Sequence, residues 1–412
     1  MKLLHTADWH LGKRLEQFSR LDEQKLVLEE LCQLAEREQV DAVLVAGDLF
    51  DTFNPSAEAQ ELLYSTLHRL SDGGQRAVVA IAGNHDSPDR INAPDALAKA
   101  SGILLVGYPN APITPFETRQ GVRVSRADHG FVELQLPKST APLRLLLTPF
   151  ANELRLKTFL GVEQSEESLR QLLQQHWQDL ADRYCDEQGV NVLVTHLYVM
   201  DQYDSTPPEE PDDERPILHI GGAQAIYTQN VPPQLQYVAL GHLHRYQVVS
   251  EQPCPVVYSS SPLAYSFSEA HQTKYVVVIE AEAGQPIQLR PTPLTRGKKL
   301  RRGTFSDITS AIAWLQTYPN DLMELTLESD SYLEVADKKR LMEAHDGLVQ
   351  IIPRVRGLDQ TTTAAQIDLQ MSMDALFVSY FKSKNNAQEP SDGLMTVFKE
   401  VLGAADEESQ GD

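Results

Sequence analysis

Val40-Asp41-Ala42-Val43-Leu44-Val45-Ala46-Gly47-Asp48 is the stretch on which the fold turns. Its first seven residues make a short, nearly continuous apolar run, the pattern of a strand covered on both faces. Gly-Asp then ends the run. A carboxylate at the end of a buried strand costs free energy unless a cation or hydrogen-bond donors compensate it. Two other runs share this form, Ala77-Val78-Val79-Ala80-Ile81-Ala82 and Val190-Asn191-Val192-Leu193-Val194. They too stop at polar motifs, Gly83-Asn84-His85-Asp86 and Thr195-His196. Asp8-Trp9-His10 and Gly241-His242-Leu243-His244 complete an ordered series of five.

Helical patterns separate the strands. Leu21 to Glu38 and Ala57 to Leu70 each carry leucines at helical spacing with charges opposite, and Gln164 to Glu187 reads as a long polar-faced helix. The expected architecture is a layered α/β domain with helices packed on sheets. Phe131 to Leu136 alternates at period two, and Tyr275 to Ile279 is a further apolar strand. The catalytic domain is therefore expected over 1–293.

A small α/β module is expected over 294–360. It has a helix at Asp307 to Gln316, a strand at Leu322 to Leu327, a helix at Leu333 to Glu343 and a strand at Leu348 to Val355. It begins with the basic stretch Arg296-Gly297-Lys298-Lys299-Leu300-Arg301-Arg302-Gly303, for which a solvated linker and a phosphate-backbone contact are both open. Residues 361–412 hold a linker, amphipathic pieces at Met373 to Lys382 and Gly393 to Leu402, and an acidic tail. The two pieces have little core of their own. They either pack back on the body or dock on a partner.

The chain has 412 residues, 42% hydrophobic and 23% charged, so two or three domains are expected. A formal net charge of -22 argues against non-specific coating of nucleic acid. Bound cations can nevertheless invert the potential locally. Cys32, Cys185 and Cys254 lack metal-site spacing and read as reduced thiols. The N-terminus turns polar too soon for a signal peptide, and no apolar run approaches the roughly 18 residues of a membrane span. A cytoplasmic, non-membrane protein is the expectation. The run Pro207-Pro208-Glu209-Glu210-Pro211-Asp212-Asp213-Glu214-Arg215 is either a surface loop or an acidic flap, and His219 reads as a loop histidine.

Carboxylate, imidazole and carboxamide donors in one series suit Mn²⁺, Fe or Zn better than Ca²⁺. Asp8 and His10, two apart at a strand end, can converge on one ion. Asp48 offers two oxygens and is a candidate bridge between two ions. Asn84 supplies a neutral oxygen, while His196, His242 and His244 supply imidazoles. Singly each motif is weak; their order and placement at successive strand ends carry the metal reading.

The series resembles the calcineurin-like metallophosphoesterase superfamily, whose fold is a two-sheet β-sandwich flanked by helices. His5-Thr6-Ala7-Asp8-Trp9-His10-Leu11-Gly12, Ala46-Gly47-Asp48-Leu49-Phe50-Asp51-Thr52 and Ala239-Leu240-Gly241-His242-Leu243-His244-Arg245 narrow the resemblance to the nuclease-subunit family of bacterial SbcCD complexes. That family is the counterpart of the archaeal and eukaryotic double-strand-break-repair nucleases. The resemblance implies one metal on Asp8, His10, Asp48 and His244, and another on Asp48, Asn84, His196 and His242. It implies His85 as the acid assisting the leaving oxygen. It further implies two Mn²⁺ ions (Mg²⁺, Fe or Zn being alternatives), 3′–5′ exonuclease action on DNA duplex ends and endonuclease action on single strands and hairpins. A small capping domain and a C-terminal helical pair complete the family plan. The pair, at 373–402, would bind the SMC-like ABC ATPase subunit SbcC, within a heterotetramer built on a homodimer. Asp51 departs from the archaeal pattern, which has a histidine nearby, so no role of that histidine transfers. The chain has no Gly-x-x-x-x-Gly-Lys-Ser/Thr motif, so ATP hydrolysis is expected from the partner. The rival readings are another metallophosphoesterase, such as a cyclic-nucleotide phosphodiesterase or phosphatase, and a non-catalytic scaffold of the same fold.

Overall fold

The run around Leu44 forms a strand, Ala42–Ala46, with every residue buried. The computed structural model describes residues 1–109, 112–150, 166–202, 226–329 and 333–355, with the single residues 377, 378, 381, 390 and 395. The expected features at 207–215, at His219 and in most of 361–412 lie outside the described residues. Two compact units are present, one of residues 1–327 and 334–352, the other of 328–333 and 353–412. In the second, Arg354 Nη1 lies 3.4 Å from Glu328 Oε1. Among the described residues no helix is long and apolar enough to cross a membrane.

Along the chain the strands of the two large sheets are β1 (Lys2–Thr6), β2 (Ala42–Ala46), β3 (Ala77–Ile81), β4 (Ile103–Val106), β5 (Arg123–Asp128), β6 (Phe131–Gln135) and β7 (Leu143–Thr148). There follow β8 (Val190–His196), β9 (Tyr237–Gly241), β10 (Gln247–Ser250), β11 (Val256–Tyr258), β12 (Tyr275–Glu280) and β13 (Gln288–Pro293). One sheet has the order β13-β12-β1-β2-β3-β4, and the other β10-β11-β9-β8-β7-β6-β5. Strands β1 to β4 run parallel, as do β7, β8, β9 and β11. The long helices are α1 (Leu21–Glu38), α2 (Ala57–Leu70) and α3 (Glu166–Tyr184).

Four layers result, because successive side chains of a strand point to opposite faces. Val43 and Val45 pack with Leu28 and Leu31 of α1 and Leu63 and Leu67 of α2. Leu44 and Ala46 face the other way and, with Val79 and Ile81, share a core with Leu145, Val192 and Val194 of the second sheet. The outer face of that sheet, with Leu146, Leu193 and Val238, is covered by Leu173, Trp177 and Leu180 of α3. The chain thus has the two-sheet sandwich flanked by helices, and the apolar runs are continuous because both faces are buried. Each large apolar side chain buried contributes about 1.5–3 kcal/mol. A one-residue slip in β2 would exchange its two faces, so register is strongly specified.

The period-two alternation of β6 is not that of a strand half in water. Glu133, on its polar face, is itself buried and receives the Arg144 Nε–H at 2.9 Å. Cys32 and Cys254 are buried, Cys185 is half-buried, and burial pushes each thiol's pKa up to about 12. They are inert thiols.

Beyond β13 the expected module contains β14 (Leu300–Phe305), helix α4 (Ile308–Thr317), β15 (Leu322–Ser329), helix α5 (Val335–Ala344) and β16 (Leu348–Val355). Its sheet has the order β14-β15-β16. Asp307 caps α4 by accepting the Ser310 N–H at 2.8 Å. Half of the basic stretch is therefore strand and not linker. Arg301 Nε donates to Asp321 at 2.5 Å, and Arg302 Nε donates to Glu324 at 2.6 Å. Leu300, Leu322 and Val349 pack with Phe267 of the body.

Candidate metal centre

The five polar motifs lie at the C-terminal ends of β1, β2, β3, β8 and β9, where open α/β sheets gather their ligands. His196 is the last residue of β8 rather than the one after it. The segment after β1 lies along the segment after β2: the N–H groups of Asp8 and His10 donate to the carbonyls of Gly47 and Asp48 at 3.0 and 2.9 Å. Asp8, His10 and Asp48 take positive φ values of 55°, 44° and 48°, and His242 takes 104°. Non-glycine residues held in that region mark local strain at a functional cluster.

Glycine is required where the two sheets' edges meet. A Cβ on Gly241 would lie 1.7 Å from the Ala46 carbonyl oxygen, and one on Gly47 would lie 2.2 Å from His196 Nδ1. Gly47 also has φ +91°.

Every expected site residue joins one contiguous cluster. His10 Nε2 is 3.0 Å from His244 Nε2 and 3.6 Å from Asp48 Oδ2. The same Asp48 oxygen is 3.2 Å from His196 Nε2, so it lies between the two imidazoles. Asn84 Oδ1 is 2.9 Å from His196 Nε2 and 3.3 Å from His242 Nδ1. Asp8 Oδ1 accepts the His242 backbone N–H at 2.8 Å and lies 3.7 Å from His196 Nδ1. The His85 N–H donates to Asp48 Oδ1 at 2.9 Å, and its ring centroid is 4.8 Å from that of His10.

This cluster fits cations. Asp8 Oδ2 and Asp48 Oδ2 are buried with no hydrogen-bond donor. Such an oxygen costs at least about 1–3 kcal/mol unless something positive satisfies it. Two imidazole nitrogens bound to one ion at about 2.1 Å and at right angles would stand about 3 Å apart, as those of His10 and His244 do. The ligand atoms of Asp8, His10 and His244 lie within 4.8 Å of one another, and so do those of Asp8, Asp48 and His196. The electrostatics agree. Burial, against the pull of His196 and His244, pushes Asp8 up to about 6. Burial also acts to raise Asp48, but the neighbouring His196 and His10 hold it well below the usual carboxylate range. His196 is pushed up to about 9, its burial outweighed by Asp48 and Asp8. A cation arriving at such a set displaces protons. His10, Asp51 and His85 form a third close group, but Asp51 Oδ1 is already 3.2 Å from the Lys13 ammonium.

Several supporting residues escaped the sequence reading. Asp86 accepts the N–H groups of Gly83 and Leu49 on Oδ2 and of Phe50 on Oδ1, at 2.9, 3.0 and 2.9 Å, stapling the loops after β2 and β3. Gln24 Nε2 donates to the carbonyls of Trp9 and His10 from α1. Glu269, fully buried, sits 3.5 Å from His244 Nδ1. Burial acts to raise its pKa, but Lys274 and His244 beside it hold the carboxyl well below its ordinary value. Asp86 stood in a quoted motif; Glu269 and Lys274 lie in an irregular segment with no periodic signal.

The sequence profile of the family described as calcineurin-like phosphoesterase matches residues 1–246. The chain is 33% identical over 416 residues to the SbcD subunit of nuclease SbcCD from Bacillus subtilis (strain 168), covering 99% of both. The Escherichia coli (strain K12) protein of that name is 29% identical over 378 residues, covering 89% of this chain and 88% of the other. The Rhodobacter capsulatus protein of that name is 34% identical over 309 residues, covering 72% of this chain and 71% of the other. Among solved structures, a dimetal phosphatase from Danio rerio is similar, at 13% identity and TM-score 0.42, over 72% of this chain and 96% of that one.

Proposed function

The chain belongs to the calcineurin-like phosphoesterases, in the branch of the SbcD nuclease subunits, and on that premise we propose that it hydrolyses DNA phosphodiester bonds at a two-cation centre. It is a metal-dependent hydrolase. The observation that carries the reading is the contiguous array of the buried Asp8, His10, Asp48, His196, His242 and His244 with the half-buried Asn84, in which two carboxylate oxygens are left for cations. Asp8, His10, Asp48 and His244 would hold one ion, and Asp48, Asn84, His196 and His242 the other; Asp48 Oδ2, lying between His10 and His196, supports the bridge. When bound, two divalent cations supply Lewis acidity toward the phosphate and toward water.

The chain's own groups supply the rest. Two carboxylates offset only half the charge of two divalent ions, so the site attracts a phosphodiester although the protein is acidic. His85 Nδ1 donates to the Asp51 carbonyl at 2.8 Å, a partner that can only accept. The mobile proton of an imidazolium there is therefore the one on Nε2, and we assign His85 as the acid that protonates the leaving oxygen.

We take Mn²⁺ as the working cation, a cytoplasmic location, and domains at 1–293, 294–360 and 361–412. We assign 373–402 to docking on the SMC-like ABC ATPase SbcC and the assembly to a heterotetramer built on a homodimer. The expected substrates are duplex ends cut 3′–5′, single strands and hairpins. The test is digestion of a labelled DNA hairpin with Mn²⁺, run beside bis-p-nitrophenyl phosphate, with and without the ATPase and ATP. Hydrolysis of the small ester alone under all conditions would point to a different phosphoesterase.

A further inference from the structure

The imidazoles of the centre are not backed alike. His196 Nδ1 hydrogen-bonds a neutral group, the Ala46 carbonyl, at 2.8 Å, with the Asp8 carboxylate further off at 3.7 Å. His244 Nδ1 instead faces a buried carboxylate, Glu269 Oε1, at 3.5 Å. That carboxylate is fixed from three sides. Oε1 accepts the backbone N–H groups of Tyr265 and Ser266 at 3.1 Å each, and Oε2 takes the Lys274 ammonium. Lys274 Nζ also donates to the His244 carbonyl at 2.7 Å. Ser261 N–H reaches the same carbonyl at 3.3 Å. One segment, Ser261 to Lys274, thus holds the residue's backbone carbonyl by hydrogen bonds and sets a carboxylate against its ring.

We propose that Glu269, charge-balanced by Lys274, is the positioning residue for His244. This rests on the two-cation reading above and deepens it. The carboxylate holds Nδ1 as the protonated nitrogen, turns Nε2 toward His10 Nε2, and makes the ring a stronger electron donor. A carboxylate behind a ligating imidazole acts in this way on a metal. Glu269 therefore sets the cation affinity of the Asp8/His10/His244 end and leaves the Asn84/His196/His242 end alone.

The test is Mn²⁺ binding followed by the electron paramagnetic resonance signal of the free ion, on full-length wild type, Glu269→Gln and the double variant Glu269→Gln/Lys274→Met. The double variant removes both buried charges together and so keeps the comparison meaningful if the single variant folds poorly. Wild type is expected to bind two ions. Each variant is expected to bind one with unchanged affinity and the other about 10–100-fold more weakly. Unchanged affinity for both ions in the folded variants overturns the proposal. So does equal weakening of both ions with a lowered melting temperature of the metal-free protein, which is the signature of a mere staple. A wild-type chain that takes up no Mn²⁺ overturns the two-cation reading itself, before any variant is compared.

Discussion

His85 differs from its neighbours in the cluster. Its Nδ1 is spent on the Asp51 carbonyl, so its ring is oriented by a group outside the proposed ligand set. His85→Gln is therefore expected to keep both metals by elemental analysis while turnover drops about 10²–10⁴-fold. Loss of a metal in that variant would make His85 a ligand. At this scale the seven ligand candidates were legible because a polar residue directly after a buried apolar run is locally anomalous. The role of Asp86 was not legible, nor were Gln24 and Glu269. Their work is to hold backbone groups or rings from distant segments, and nothing in their own neighbourhood announces it.

Strand β1 carries a buried imidazole with a different task, His5. His5 Nδ1 lies 2.9 Å from the Tyr237 hydroxyl and Nε2 3.1 Å from the Leu240 carbonyl, joining the two sheets. Burial pushes its pKa from 6.5 down to about 3. The unfolded chain then binds the proton more readily, so His5's contribution is complete above about pH 6.5 and is lost as pH falls toward 3, at up to about 1.4 kcal/mol per unit. In chelator, the unfolding free energies of wild type and His5→Gln should converge over that window; parallel curves would show that the ring is not held neutral. Packing between elements also predicts a severe effect at Gly241. Its added Cβ would strike the Ala46 carbonyl, which is backbone of a central strand and cannot yield cheaply. Gly241→Ala should cost at least about 3 kcal/mol by urea unfolding and impair metal uptake. Wild-type stability would mean that the two sheet edges are further apart than the structure has them. The extents of α1 and α2 were legible to the residue from leucine spacing. The burial of β6 was not, since Glu133 goes inside only because Arg144 on the adjacent strand meets it.

For the whole molecule, the seven candidate ligands and His85 all lie before residue 294, and among the described residues none beyond it joins the cluster. Deleting 373–402 is accordingly expected to leave Mn²⁺-dependent phosphodiester hydrolysis near the full-length rate and to abolish co-purification with the ATPase. Persistence of the complex would move the partner surface elsewhere. The basic stretch is a less general cationic surface than its composition suggested, with Arg301 and Arg302 each engaged by an acid on or beside β15. By itself the sequence determined the strands, the flanking helices and the polar residues at the strand ends. These signals are local: an apolar run must be buried, and a ligand stands where it stops. Only the tertiary structure decided which carboxylate oxygen lies between which imidazoles and which distant acid backs His244. Those relations join segments far apart in the chain, and their energies depend on ångström-scale convergence that no periodicity encodes.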